Sequence, residues 1–219
     1  MKKFTLLDVA ALLICLIPAG YLLWEYNSLP NTVPLHYGIS GKPDRYGDKS
    51  ELWIAQSILT GVSVLVYLLM KFLPSIDPKK QVKYGEQTYQ KLALGLVIFM
   101  AALGIGIIFA TVNRAFRVDK IIFPLIGLLF AFLGNMMNSI KPNYFAGVRT
   151  PWTLESEDNW RATHRLAAKI WFVGGIIITI LMLIVPMPAG FYVFLSAILI
   201  MAFAPIIYSY IYFKKHQLK

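Results

Sequence analysis

The chain has 219 residues, of which 58% are hydrophobic and only 15% charged, with a formal net charge of +10. A water-soluble domain carries roughly a quarter charged residues, so this composition argues against one. The basic excess suits a membrane topology signal better than a nucleic-acid surface, because of where the cations fall.

The apolar residues form six runs, at approximately 5–24, 52–73, 92–112, 121–140, 170–186 and 191–213. About 20 apolar residues cross a bilayer core as a helix, which satisfies its own backbone hydrogen bonds. The ten-residue alternation of a membrane barrel is absent. The expected fold is therefore all-α: an integral membrane protein with six transmembrane helices and both termini cytoplasmic. That orientation leaves fifteen of the 21 cations inside and six outside.

The first run follows Met1-Lys2-Lys3 and contains Pro18-Ala19-Gly20, features shared with cleaved leaders. It continues apolar through Tyr21–Trp24, and its removal would upset the charge distribution, so it reads as a retained span. Cys15 follows Ile14, which does not suit a lipid-attachment site, and a lone cysteine makes no internal disulfide.

The extracellular loop 25–51 is rich in Pro and Gly and carries His36, Asp44 and Asp48. A weak metal site there is the minor reading; a loop histidine satisfied by its neighbours is the commoner one. The second span ends at an inner segment, 74–91, with Pro74, Pro78 and four lysines. It reads as a hinge between an N-terminal two-helix unit, 1–78, and a four-helix unit, 79–219. The central turns of the six spans hold no charge; Asp8, Glu25 and Lys71 lie near span ends. A carboxylate at mid-membrane, the usual mark of an ion-coupled transporter, is missing.

Asn135 and Asn138 stand three apart near the inner end of the fourth span and share a helix face. They read as interhelical hydrogen-bonding groups or as a polar floor to the bundle. Past Gln56 they could also line a path for a small neutral solute.

The cytoplasmic loop 141–169 is the most informative stretch. Lys141-Pro142 ends the fourth span, and Asn143, Gly147 and Pro151 favour turns. Residues 150–153 should be extended or tightly turned. Ser156 followed by Glu157 and Asp158 suits a helix start. On that helix Trp160, His164, Ala167 and Trp171 share a face, and Glu157 pairs with Arg161 four residues on. Trp152, Trp160 and Trp171 suit the headgroup boundary, with rings buried and indole N–H groups wet. Three acids nearly balance Arg149, Arg161, Arg165 and Lys169, which suggests an ordered cap more than a plain tether. Arg149 is the best candidate to hold a carboxylate or phosphate.

At these residues the chain resembles the SdpI family of membrane proteins. The likeness rests on Asn143-Tyr144-Phe145, on Gly147-Val148-Arg149-Thr150-Pro151-Trp152-Thr153-Leu154, and on Trp160 with Thr163-His164-Arg165. The family's usual proline, lysine and glycine are replaced by Asn138, Ser139 and Ala168. A second stretch resembles a small membrane domain of unknown function that often precedes the SdpI-type half. It comprises Leu29-Pro30, Val33-Pro34-Leu35-His36-Tyr37-Gly38, Gly41-Lys42-Pro43-Asp44-Arg45-Tyr46-Gly47 and Lys49. The resemblance implies a bacterial membrane protein that protects its cell from a membrane-active peptide toxin. It further implies a signalling role, in which a small cytosolic DNA-binding repressor is held at the membrane.

No HExxH, GxSxG or nucleotide-binding glycine pattern occurs, and no cofactor is expected. His164 with Glu155, Glu157 or Asp158 could form an acid–base pair, but a structural histidine is the commoner case. The expectation is therefore a two-ended binding protein, not an enzyme. The outer residues Pro34, His36, Gly41, Asp44, Tyr46 and Lys49 would meet the toxin, with membrane lipids as the other partner. The inner residues 143–165 would engage the cytosolic one. The alternative is a channel or transporter for a small neutral or lipid-like solute.

Overall fold

The computed structural model describes residues 4–78, 86–113 and 115–217. Much of the expected hinge, with Lys79, Lys80 and Lys83, lies outside the described residues, as do Lys2, Lys3, Arg114 and Lys219. Six helices are long and apolar enough to cross a membrane. They are α1 (Leu6–Glu25), α2 (Glu51–Ile76), α3 (Glu86–Val112), α4 (Asp119–Met137), α6 (Glu157–Ile184) and α7 (Ala189–Gln217). A short α5 (Pro151–Glu155) precedes α6, and two strands, β1 (Thr32–Tyr37) and β2 (Pro43–Asp48), lie between α1 and α2. The chain is an all-α multi-pass membrane protein. At 20 residues, α1 is about 30 Å long, the thickness of a hydrocarbon core. Leu13, Leu65, Ile177, Ile184 and Ile200 are exposed on the sides of the bundle, where lipid and not water is the solvent.

The two ends of the bundle differ. One, the terminal end, carries the start of α1, the end of α7 and the segment between α4 and α6; the other carries the β1–β2 hairpin. At the terminal end the Asp8 carboxylate ties α1 to α2. It takes hydrogen bonds from the Tyr67 hydroxyl at 2.7 Å and from the Lys71 ammonium at 2.7 Å. The Thr5 N–H donates to its other oxygen at 2.6 Å, which closes the first turn of α1. Asp8 is buried and Lys71 partly so, and removing the carboxylate leaves the ammonium and the Tyr67 hydroxyl without their partner. Asp8→Ala should lower stability by about 1–3 kcal/mol. Asp8→Ala/Lys71→Met should recover part of that loss in thermal unfolding of the purified protein. An unchanged midpoint in the single variant would show that the pair carries no weight.

Helices α4 and α6 approach most closely. Gly127 and Ala131 of α4 face Gly175 of α6, and Gly134 faces the backbone of Trp171 and Phe172. A Cβ added to Gly127, Gly134 or Gly175 would lie closer than 3.0 Å to backbone atoms of the opposing helix. Small residues at such spacing let helix backbones meet in a membrane. At the hairpin end Lys120 locks the same pair: its ammonium donates to the carbonyls of Met182, Leu183 and Val185 at 2.8, 3.1 and 2.9 Å. These are the carbonyls that the last turn of a helix leaves unpaired.

The loop 25–51 is more regular than its proline and glycine content suggests. β1 and β2 pair antiparallel, with Thr32 opposite Asp48 and Tyr37 opposite Pro43, and with irregular register around His36. Val33 is fully buried against Leu22, Leu29, Leu52 and Ile108, which seats the hairpin on α1, α2 and α3. Lys49 fixes its base, donating to the Tyr26 carbonyl at 3.2 Å with its ammonium 4.8 Å from the Tyr26 ring.

Candidate functional site

The segment between α4 and α6 forms a packed cap on the terminal end. Its centre is Asn143, with no exposed surface. The Asn143 side-chain carbonyl accepts from the N–H groups of Phe145 and Ala146, both at 2.7 Å. Its amide donates to the carbonyls of Lys141 (2.7 Å) and Ala146 (3.1 Å), and to the Tyr89 hydroxyl of α3 (3.1 Å). One side chain thus closes the turn that leaves α4 and joins it to α3. An Asn or Asp that bonds the backbone two or three residues on is a turn former by this mechanism.

Gly147 follows with φ +105°, a conformation that side-chain-bearing residues rarely adopt. A Cβ there would also strike the His164 ring. The close approach lets the Val148 N–H donate to His164 Nε2 at 3.2 Å. Nε2 is therefore the acceptor and carries no proton, so the ring proton sits on Nδ1 and donates to the Trp160 carbonyl at 2.9 Å. The His164 ring stacks on Trp160, with centroids 4.1 Å apart. Both ring nitrogens have backbone partners, so no acid from Glu155, Glu157 or Asp158 pairs with them.

Thr150 caps α5 and Ser156 caps α6 by accepting from Thr153 N–H and Asn159 N–H. The start of a helix at Ser156 agrees with the sequence reading; of the two readings for 150–153, extended or tightly turned, the structure shows an extended Thr150 followed by the single turn of α5. Pro151 sits in the first turn of α5, where its missing N–H is no loss and its fixed φ suits the helix. The Thr153 hydroxyl donates toward the carbonyls of Val148 (2.9 Å) and Thr150 (3.0 Å).

Three contacts join the cap to α7. The Thr150 hydroxyl lies 3.1 Å from the Ser209 hydroxyl, and the Asn159 amide donates to the Ser209 carbonyl at 2.9 Å. Thr163 in turn holds the Asn159 side chain at 3.0 Å. Trp152 packs on Tyr210 and Phe213, with centroids 5.0 and 6.0 Å away. Below, Val148, Ile140 and Trp160 join one apolar cluster with Leu73, Tyr89, Leu92 and Met137 of the bundle.

The tryptophans correct one expectation. Trp160 is 1% exposed, and its indole N–H donates to the Ile140 carbonyl at 2.9 Å. Trp171 donates to the Met201 carbonyl at 2.8 Å. Neither indole N–H is wet; each satisfies a helix or loop carbonyl inside the protein. Asn135 and Asn138 correct another. Both are exposed, so neither forms an interior polar floor. Gly127, Ala131 and Gly134 set the buried face of α4, and the asparagines fall off it. Gln56 is buried and donates to Thr60 at 2.9 Å. Arg149 is exposed and donates to the Tyr144 carbonyl, while Glu157 and Arg161 make the expected exposed pair at 2.6 Å. Arg165 is also exposed.

At the other end two clefts flank the hairpin. One, of about 620 Å³, includes Pro34, Gly41, Tyr46, Phe116 and Arg117. The second, of about 660 Å³, includes His36, Gly41, Asp44, Phe123 and Phe191. They share Gly41, which has φ +72° and lies against the Arg117–Asp119 pair. Arg117 donates to Asp119 at 3.0 Å and reaches the Ser40 carbonyl at 3.5 Å, which docks the hairpin tip on the start of α4. Burial, with the Tyr46 phenol nearby, pushes the Tyr37 phenol above its ordinary pKa and keeps it a hydrogen-bond donor. His36 Nδ1 lies 2.6 Å from Asp44, both exposed. Asp48 instead accepts from the Ser50 N–H at 2.8 Å. No group of three metal-ligating side chains occurs among the described residues.

Five of the six outer residues singled out in the sequence thus line a cleft, and Lys49 braces the hairpin base. Residue-by-residue reading missed Tyr89, Asn159, Ser209, Arg117 and Asp119. Ser209 alone left a trace, as an isolated small polar group near the C-terminal end of an apolar run.

Residues 139–209 match the SdpI/YfhL protein family, and residues 13–60 match a domain of unknown function, DUF1648. The first match spans the cap from its start to its anchor at Ser209. Over 214 residues the chain is 25% identical to the Immunity protein SdpI of Bacillus subtilis (strain 168), covering 94% of this chain and 95% of that protein. A 51-residue stretch is 37% identical to an uncharacterized protein of Archaeoglobus fulgidus, covering 23% of this chain and 28% of that one. No solved structure matches the chain.

Proposed function

We propose that this multi-pass membrane protein, whose C-terminal part belongs to the SdpI/YfhL family, protects a cell membrane against a membrane-active peptide. The observation that carries the reading is likeness to an immunity protein over nearly the full length of both chains. The hairpin end suits the role. Its two clefts combine Phe116, Phe123 and Phe191 with Arg117, Asp44 and the Tyr37 phenol. An amphipathic peptide offers the same mixture of apolar and polar groups. The cap at the terminal end, rigid and joined to α3, α4 and α7, is the natural surface for a cytosolic partner. In this reading the partner is a small DNA-binding repressor, held at the membrane through exposed cap residues such as Arg149. A conduit for a small neutral solute finds less support, since Asn135 and Asn138 lie off the interior.

The direct test is survival of Bacillus subtilis cells that lack their own Immunity protein SdpI and express this chain instead. Protection supports the reading; death at the rate of the vector control, with the chain present in the membrane, overturns it. Gly41→Val should abolish protection without loss of membrane abundance. A left-handed backbone costs a β-branched residue about 1–2 kcal/mol or more, and the new side chain displaces Arg117. Full protection by Gly41→Val would separate the hairpin tip from the function.

A further inference from the structure

A polar groove runs between α6 and α7 on the side of the bundle, next to the cap. It has a volume of about 530 Å³, and its lining includes Arg161, Arg165, Lys169, Tyr208, Tyr212 and Asp158. The three cations stand four apart on α6 and are all exposed. Arg161 is engaged by Glu157. Arg165 and Lys169 have no carboxylate at ion-pair distance among the described residues. Asp158 sits at the opposite end of the groove from Lys169. Tyr208 and Tyr212 furnish the α7 wall, and Tyr212 is braced by His216, stacked at 4.0 Å.

What lies beyond Lys169 decides the kind of ligand. One turn further, at the same spacing, α6 presents Val173, 54% exposed, and then Ile177, 50% exposed. On α7 the residues beyond Tyr208 toward the bundle middle include Ile207, Phe203 and Ile200, all exposed. The surface thus changes within one turn from unpaired cations and phenols to bare apolar side chains. A soluble anion needs only the first part. An anionic amphiphile needs both.

We propose that this groove binds the headgroup phosphate of an anionic phospholipid, with its acyl chains along the exposed apolar faces of α6 and α7. Arg165 and Lys169 supply the charge, Tyr208 and Tyr212 donate through their hydroxyls, and the boundary below Lys169 sets the depth. The site is independent of protection against a peptide.

The test titrates the purified full chain in detergent micelles with phosphatidylglycerol, phosphatidylcholine or inorganic phosphate, and counts bound molecules by native mass spectrometry. Phosphatidylglycerol should bind about tenfold more tightly than phosphatidylcholine, and Arg165→Gln/Lys169→Gln should remove about tenfold of that affinity. Arg165→Lys/Lys169→Arg should retain most of it. Lys42→Gln/Arg45→Gln, at the hairpin end, should change nothing. Equal unfolding temperatures without added lipid establish that the variants are folded; single Gln variants serve if the double one is not. Equal affinity for the two lipids, or undiminished phosphatidylglycerol binding in the folded Gln variants, would overturn the proposal. So would inorganic phosphate binding as tightly as phosphatidylglycerol.

Discussion

Asn143→Ala should be among the most damaging single substitutions outside the spans. It leaves the Phe145 and Ala146 N–H groups without the carbonyl they share. Each stranded donor is partly buried and costs toward the lower half of about 1–3 kcal/mol, so the variant should lose about 2–4 kcal/mol of stability. The damage should be local first: trypsin should cut after Arg149 in the folded variant and spare that bond in the wild type. Asn143→Asp keeps the acceptor but sets a buried carboxylate oxygen against the Lys141 and Ala146 carbonyls, so at neutral pH it should be at least as damaging as Asn143→Ala. An Asn143→Ala protein as stable and as resistant as the wild type would mean that the turn is held by something else. Protection of cells should follow the same order if a rigid cap is needed for it.

The second large effect lies inside the membrane. Gly175→Leu inserts a branched side chain where a single Cβ already meets the Gly127 carbonyl and the Ala131 backbone. Overpacking of a well-filled core costs about 1–3 kcal/mol when side chains can shift. Here the obstacle is backbone on a second helix, so α4 and α6 must part and the loss should reach or exceed the upper end of that range. Lys120 would lose register with the end of α6 at the same time. Gly61→Leu is the control, because a Cβ at Gly61 meets nothing within 4 Å. Thermal unfolding should fall sharply for the first variant and stay near the wild-type value for the second. Equal values for both would show that the α4–α6 approach is not what holds the C-terminal helices together.

Much of this architecture is legible from residue types. Apolar run length gives all six spans, because a bilayer demands it. The Ser156-Glu157-Asp158 start and the Trp160–His164–Ala167 face of α6 follow from capping and helical period. The hairpin is not legible in the same way. Pro34 and Pro43 lie within the strands, and proline argues against a strand unless it sits at an edge or irregularity. A two-stranded sheet is all edge, so the objection lapses. The indoles of Trp160 and Trp171 went astray for a different reason. The rule that places tryptophan at the headgroups concerns residues facing lipid, whereas these face carbonyls that helix ends and a broken turn leave open. Asn135 and Asn138 show what spacing omits: it puts two residues on one face but does not say which face is inside. The Gly127, Ala131 and Gly134 stripe holds that information. The bonds from Asn143 to Tyr89 and from Asn159 to Ser209 span 54 and 50 positions, beyond the reach of any local pattern.

The central claim is that residues 143 to 165 form a fixed cap bonded to the bundle, and do not merely connect two spans. Amide hydrogen exchange on the protein in lipid nanodiscs measures this directly. The account predicts slow exchange at Phe145, Ala146, Val148 and Thr153, whose N–H groups are bonded inside the cap, and a large rise at the first two in Asn143→Ala. Exchange at all four as fast as in an unstructured peptide would contradict it.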